Sequence, residues 1–179
     1  MQSKSCLQRG ILFLDIDGVL HNVLPKSERE YFRKNCMYQL FRICNETNCE
    51  IVLSSQWREF PLKVKLLNKV FQEHKLPKII GMTPELLFGS RTHAICSWLR
   101  RNPKRSYNAP FVCLDDLILP QLAHHAVDVH PIDGLSPADA DKAIKILKNI
   151  SPANCKCSYC TKSIYSKSTP IIKKFYFKL

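Results

Sequence analysis

Apolar residues occur along the chain in two kinds of pattern. Short uninterrupted apolar runs predict strands that are buried on both faces of a parallel sheet. The predicted strands are 11–14, 50–55, 78–83, 111–116 and 126–130. Apolar residues that recur three and four positions apart predict amphipathic helices around these strands. The predicted helices are about 30–47, about 61–74, a helix of about three turns that follows Arg91, and a helix that starts at Ser136.

Strands and helices therefore alternate along most of the chain, which predicts an α/β protein. We expect a Rossmann-like, mostly parallel five-stranded sheet with helices on both faces. Ser136-Pro137-Ala138-Asp139 is typical of a helix start, with an N-cap serine and an acid in the first turn. The segment 21–26 is predicted to be a polar loop. We expect one domain over residues 1–150, followed by a basic tail of residues 151–179 that is rich in cysteine and lysine.

The charge and the cysteine content of the chain indicate which binding partners and which cellular compartment to expect. The 179 residues carry a net charge of +12, and the tail supplies half of it with six lysines and no acidic residue. Such a tail favours contact with nucleic acid or with an anionic membrane, although solubility alone also explains it. No run is long enough to span a membrane, and no signal peptide is recognisable. We therefore expect a cytoplasmic protein whose nine cysteines are reduced.

Acidic residues follow two of the predicted strands directly. Asp15 and Asp17 come after the first strand, and Asp115 and Asp116 end the fourth. Because the carboxyl ends of parallel strands meet at one edge of a sheet, we expect these carboxylates to share a crevice. Like charges so close repel one another unless a cation balances them, and oxygen ligands favour Mg²⁺ first and Mn²⁺ second. The sequence therefore predicts a magnesium-assisted site suited to phosphoryl transfer.

The first acidic segment resembles the first motif of the haloacid dehalogenase-like (HAD) superfamily, in which a strand is followed by D-x-D-G, then Val or Thr, then Leu or Val. In this chain the motif is Asp15-Ile16-Asp17-Gly18-Val19-Leu20. Three further segments resemble, more narrowly, the small HAD domains associated with RNA-repair (Swiss Army Knife) proteins. They are Ile51–Arg58, the helix led by Arg91 with Trp98-Leu99, and Leu114-Asp115-Asp116. The resemblance covers about residues 10–147, most of the chain.

The resemblance implies a role for each residue that matches a motif. Asp15 is implied as the nucleophile that forms an aspartyl-phosphate, and Asp17 as the general acid and base. Ser54 is implied to hydrogen-bond the phosphoryl group, with Ser55 as the competing candidate. Arg91 stands where the superfamily usually has lysine. It is implied to neutralise the charges of the nucleophile and the phosphoryl group, although arginine binds more rigidly and does not lose its proton.

The same resemblance implies the metal site and the shape of its surroundings. Asp115 and Asp116 are implied to hold Mg²⁺ with Asp15 and the backbone carbonyl of Asp17. Arg58 is a second candidate contact for phosphate or substrate. HAD enzymes often carry a cap domain, but the motif spacing here leaves no room for one. The open site suits a macromolecular substrate, either a phosphoprotein (including phosphotyrosine) or a nucleic-acid end phosphate.

Two classes of function stay open on the sequence. The first is a Mg²⁺-dependent phosphomonoester phosphatase, with transfer to an alcohol instead of water as a narrower variant. The alternative is a catalytically weak HAD-like module that binds a phosphorylated or polyanionic partner. The presence of both Asp15 and Asp17 favours the enzyme. Simpler interpretations also exist, in which Ser54 and Ser55 only cap the next helix and Arg91 is an ordinary surface cation.

Overall fold

The computed structural model of the protein describes residues 8–85, 90–106 and 109–149. The strands are β1 (Ile11–Leu14), β2 (Glu50–Leu53), β3 (Ile79–Met82), β4 (Phe111–Asp115) and β5 (Ala126–Asp128). The helices are α1 (Lys34–Thr47), α2 (Pro61–Glu73), α3 (Arg91–Arg101), α4 (Pro103–Ser106) and α5 (Pro137–Asn149). Short 3-10 turns lie at Glu28–Glu30, Gln56–Glu59 and Pro120–Leu122.

The five strands form one parallel sheet in the order β3-β2-β1-β4-β5. The chain adds β2 and β3 on one side of β1 and then crosses to add β4 and β5 on the other. The point where the strand order reverses therefore lies between β1 and β4, and open α/β sheets bind ligands beyond the carboxyl ends of the strands at such a point.

The two faces of the sheet are covered by different helices. Leu12 and Leu14 of β1 join a core with the apolar sides of α1, α2 and α5, whereas Ile11 and Phe13 pack with α3 on the opposite face. The ring of Phe13 meets that of Trp98 edge to face, with 5.5 Å between centroids. Burying each of these large side chains contributes roughly 1.5–3 kcal/mol. The predicted Rossmann-like sheet with helices on both faces is confirmed.

The start of α1 differs from the prediction of a helix from about residue 30. A 3-10 turn ends at Glu30, and Phe32 then adopts the left-handed conformation with φ of +55°. That backbone is incompatible with a helix, so α1 begins only at Lys34. The start of α5 agrees with its prediction. The Ser136 hydroxyl accepts from the Asp139 N–H at 3.2 Å, and the Asp139 carboxylate accepts from the Ser136 N–H at 3.1 Å.

The predictions about the cysteines, the membrane spans and the tail can be compared with the described residues only. Cys36, Cys44 and Cys49 are free thiols. None of the helices in the described ranges is long and apolar enough to cross a membrane. The predicted tail of residues 151–179, with its cysteines and lysines, lies outside the described residues.

Candidate active site

Hydrogen bonding between the central strands brings the predicted site residues to one level. Leu14 of β1 pairs with Leu53 of β2 on one side and with Leu114 of β4 on the other. The ladders continue past the strand ends, because the Asp15 N–H donates to the Leu114 carbonyl at 3.0 Å and the Ser54 N–H donates to the Leu14 carbonyl at 2.9 Å. The first residues beyond Leu14, Leu53 and Leu114 are therefore neighbours at the carboxyl edge of the sheet.

Three carboxylates converge at this edge. Asp15, Asp115 and Asp116 each place an oxygen within 4.8 Å of the other two. Asp15 and Asp115 are 4% and 1% exposed, so their charges are largely removed from water. Burial, with the nearby charge of Asp15, raises the pKa of Asp115 to about 7. Burial and the same neighbour also raise the pKa of Asp116 above its usual range. The cluster thus carries more negative charge than its surroundings favour.

The guanidinium of Arg91 balances part of this charge. Its Nη1 lies 3.1 Å from Oδ1 of Asp15 and 3.0 Å from Oδ2 of Asp115. The side chain is only 13% exposed, so this arginine is not an ordinary surface cation. Burial works to lower the pKa of Arg91, but the two carboxylates raise it more. Ser90 caps α3 by accepting a hydrogen bond from the His93 N–H at 3.4 Å, which places Arg91 in the first turn.

The acidic cluster fits a divalent cation. Its donors are oxygen only, the ligand type that Mg²⁺ prefers in proteins. Oδ2 of Asp115 is buried, and its 3.0 Å ion pair with Arg91 lacks hydrogen-bond geometry, so the oxygen keeps lone pairs that a metal can use. One arginine leaves three carboxylates undercompensated. Asp15, Asp115 and Asp116 are the residues that can hold such an ion through their side chains.

The carboxylate of Asp17 is held apart from this cluster by two donors. Nε2 of His21 lies 3.0 Å from Oδ1, and the indole N–H of Trp57 donates to Oδ2 at 2.9 Å. Burial works to raise the pKa of Asp17, but the hydrogen bonds from His21 and Trp57 lower it more, so the net pKa lies below its usual range. With a donor on each oxygen, the carboxylate is fixed in one orientation.

His21 belongs to an aromatic cluster that supports Asp17. The imidazole is completely buried, and its centroid lies 4.8 Å from that of Tyr31 and 5.8 Å from that of Trp57. Nδ1 has no hydrogen-bond partner among the described residues, so an N–H there is disfavoured and the ring donates to Asp17 from Nε2. The prediction that segment 21–26 is a polar loop is therefore wrong at His21. The spacing Asp17-x-x-x-His21 was the available signal, and it becomes meaningful only when the intervening turn is known.

Gly18 allows Asp116 to approach the first motif. Its φ is +75°, which favours glycine, and a Cβ built there lies 2.7 Å from Oδ2 of Asp116. The glycine of the first motif thus supplies both the turn after Asp17 and the space beside β4.

The two serines at the end of β2 differ in their contacts. The Ser55 hydroxyl accepts a hydrogen bond from the Trp57 N–H at 3.3 Å and caps the following 3-10 turn. The Ser54 hydroxyl is buried and has no hydrogen-bond partner in the described part of the chain. Arg58, the third predicted contact in this segment, donates from Nη1 to the Ser55 carbonyl at 2.7 Å and pairs with Glu59 at 3.1 Å. Its guanidinium thereby supports the turn after β2.

The fold and the carboxylate site together define a HAD-like domain. The family model described as the HAD domain in Swiss Army Knife RNA repair proteins matches residues 11–140. The chain therefore belongs to this family, and at a coarse level it is a HAD-like protein of a hydrolase and phosphatase superfamily. No curated protein and no solved structure gave a significant match.

Proposed function

We propose that the chain is a Mg²⁺-dependent phosphomonoester phosphatase in which Asp15 becomes phosphorylated. The observation that carries the proposal is the buried cluster of Asp15, Asp115 and Asp116, whose oxygens lie within 4.8 Å of one another with Arg91 alongside. A site that served only to bind a phosphate has no need of three carboxylates, because they repel an anion. A cation held there and a basic side chain beside it make the approach of a phosphate favourable.

In the first step Asp15 attacks the phosphorus atom and displaces the alcohol of the substrate. A bound Mg²⁺ supplies positive charge that lowers the repulsion between the phosphate and the carboxylate nucleophile. Arg91 already contacts Oδ1 of Asp15 at 3.1 Å, so it keeps the nucleophile oriented and adds positive charge beside the phosphoryl oxygens. The buried Ser54 hydroxyl, which lacks a protein partner among the described residues, donates to a phosphoryl oxygen.

Asp17 moves the protons in both steps. The lowered pKa of Asp17 keeps it ionised at rest, so it takes a proton from the monoanionic phosphate of the substrate and gives it to the departing alkoxide. It later removes a proton from the water that hydrolyses the aspartyl-phosphate. The hydrogen bonds from His21 at 3.0 Å and Trp57 at 2.9 Å keep its carboxyl group in one position during this exchange. Each oxygen of Asp17 already accepts a hydrogen bond. When one of them becomes protonated, it therefore gives up its present hydrogen bond.

The surroundings of the site support a large substrate. Between β1 and β2 the described chain forms one 3-10 turn and α1, and between β3 and β4 its described residues form α3 and α4. None of these elements adds a cap domain. An uncapped site can accept a phosphate at the surface of a phosphoprotein, including phosphotyrosine, or at a nucleic-acid end.

Hydrolysis of an aryl phosphate tests the proposal. The wild type is compared with Asp15→Asn, with and without Mg²⁺. Asp141→Asn is the matched control, since Asp141 lies on α5 and is 69% exposed. We expect Mg²⁺-dependent turnover in the wild type and in the control, and none in Asp15→Asn. Phosphate binding without turnover in the wild type, across aryl, peptide and nucleotide phosphates, favours the alternative of a binding module.

A further inference from the structure

The indole of Trp57 links the candidate active site to the protein surface. Its N–H binds Asp17, and its face is covered by the ammonium group of Lys63, which lies 4.9 Å from the ring centroid. The same ammonium group lies 5.3 Å from the centroid of Phe60. Phe60 is 52% exposed, whereas Trp57 is 1% exposed. A cation and an exposed aromatic ring therefore lie together just outside the residues that position Asp17.

Within the described ranges, Lys63 has no acidic partner at ion-pair distance, and its contact with two aromatic rings distinguishes it from other unpaired lysines such as Lys65. Lys69, Lys142 and Lys148 each lie within 4 Å of a carboxylate on a neighbouring residue or helix. Among the described residues, no carboxylate lies within that distance of Lys63. Its charge is held over two aromatic faces, an arrangement that stabilises a cation without neutralising it. The positive charge of Lys63 thus remains available to an anion from outside.

Lys63 is close to the residue that acts on the leaving group of the substrate. This inference rests on the proposed function, in which Asp17 gives a proton to the departing oxygen. The leaving group must then lie on the Asp17 side of the phosphorus atom, away from the nucleophile Asp15. Trp57 contacts Asp17 itself, and Lys63 lies against Trp57 and Phe60, so these side chains are neighbours of the group that protonates the leaving oxygen. Side chains there contact the leaving group rather than the phosphate that is transferred.

We infer that Phe60 and Lys63 form a leaving-group subsite that accepts a flat ring together with a second phosphate, as in a nucleoside bisphosphate. A base can stack on the exposed face of Phe60, and a phosphate can pair with the ammonium of Lys63. A phosphotyrosine peptide flanked by glutamate also carries a ring and an anion. Its ring is bonded directly to the departing oxygen and therefore lies beside Asp17, whereas the sugar of a nucleoside places the base further out, towards Phe60. The exposed ring of Phe60 therefore favours the nucleotide.

The test compares two substrates across matched variants. Adenosine 3′,5′-bisphosphate carries the ring and the second phosphate, and para-nitrophenyl phosphate lacks the second anion. The measured quantity is the ratio of kcat/KM for the bisphosphate to kcat/KM for the aryl phosphate. We expect Lys63→Gln to lower this ratio roughly tenfold, through loss of a charge-assisted contact. Phe60→Leu, which keeps an apolar side chain but no ring, is expected to lower it roughly fivefold.

Lys65→Gln is the control, because Lys65 is exposed on the same helix and is not part of the subsite. We expect this variant to keep the wild-type ratio. The inference is overturned if Lys63→Gln leaves the ratio unchanged or if Lys65→Gln lowers it equally. It is also overturned if Lys63→Gln affects only a phosphotyrosine peptide flanked by glutamate, since that result assigns the subsite to acidic peptides.

A binding measurement separates this inference from the proposed function. Asp15→Asn protein is titrated with adenosine 3′,5′-bisphosphate and with adenosine 5′-monophosphate, so that no turnover is needed. Tighter binding of the bisphosphate that disappears on adding Lys63→Gln supports the subsite, even if the wild type hydrolyses neither compound. Equal affinities for the two nucleotides overturn the subsite, even if the wild type is an active phosphatase.

Discussion

The indole N–H of Trp57 lies 2.9 Å from Oδ2 of Asp17, although the two residues are 40 positions apart in the chain. The contact joins the turn after β2 to the turn after β1. Trp57 sits in the 3-10 turn that Ser55 caps, so the end of β2 determines where the indole lies. Asp17 is thus oriented by a neighbouring strand as well as by His21 from its own turn.

Trp57→Phe tests this contact because it removes the N–H and keeps a buried ring. A hydrogen bond to a charged group contributes about 1.5–3 kcal/mol, so we expect kcat to fall roughly tenfold or more, with little change in KM. Trp98→Phe is the control, since Trp98 is buried against Phe13 in the core on the α3 side. That variant should lose stability and keep kcat. Steady-state kinetics that show equal losses of kcat in both variants contradict a positioning role for Trp57.

Ser54→Ala and Ser55→Ala are expected to have opposite effects. The Ser54 hydroxyl is buried without a partner in the described structure, so its removal should leave thermal stability unchanged or slightly raised. The same change should lower kcat/KM if that hydroxyl binds the phosphoryl group. Ser55→Ala removes a cap and should cost about 1 kcal/mol in the free energy of unfolding. Urea unfolding and steady-state kinetics on both variants test which serine binds the phosphoryl group and which caps the turn. A kinetic loss confined to Ser55→Ala reverses these two roles.

Gly18→Ala is expected to damage the acidic cluster specifically. The added Cβ lies 2.7 Å from Oδ2 of Asp116, and the φ of +75° is strained for alanine, so Asp116 must move. Gly134→Ala is the matched control because Gly134 has a φ of +72°, but its Cβ meets Cys36 and Val19 instead. Both variants should lose roughly 1 kcal/mol or more of stability. Only Gly18→Ala should weaken Mg²⁺ binding, measured by titration calorimetry on the purified protein. Equal Mg²⁺ affinities in the two variants contradict the placement of Asp116 among the ligands.

The sequence was sufficient for the sheet because its strands are short, mostly apolar runs, which are buried in the three central strands and partly exposed in the edge strands β3 and β5. It also predicted that Asp15 and Asp115 lie close together, since residues that follow parallel strands share one edge. The place of Arg91 beside them was implied only by the resemblance to the HAD family. The sequence did not distinguish Ser54 from Ser55, because that choice depends on which hydroxyl the next turn uses as its cap. Nor did it identify His21, whose burial depends on packing against Tyr31 and Trp57 from other segments. The local pattern of apolar residues thus predicts the strands and helices, whereas contacts between turns become known only from the structure.

The buried side chain of His125 makes the stability of the fold depend on pH, and this effect does not involve the candidate active site. It is completely buried, its Nδ1 lies 3.0 Å from the Phe111 carbonyl, and its ring stacks on that of Phe111 at 3.8 Å. Burial lowers the pKa of His125 to about 4, although the bond to Phe111 partly opposes this shift. In the unfolded chain a histidine has a pKa of about 6.5, so the unfolded state takes up the proton first as pH falls.

The stabilising contribution of neutral His125 is therefore complete above about pH 6.5 and is lost as the pH falls towards 4. The full loss amounts to about 3 kcal/mol. His125→Gln should have a flatter profile of unfolding free energy between pH 7 and 4, because glutamine does not titrate. His74→Gln, at an exposed position at the end of α2, should keep the wild-type slope. Urea denaturation across this pH range measures the unfolding free energy of all three proteins. The titrating carboxylates are the same in each, so their contribution to the slope cancels in the comparison. A wild-type slope in His125→Gln means that other groups cause the acid sensitivity.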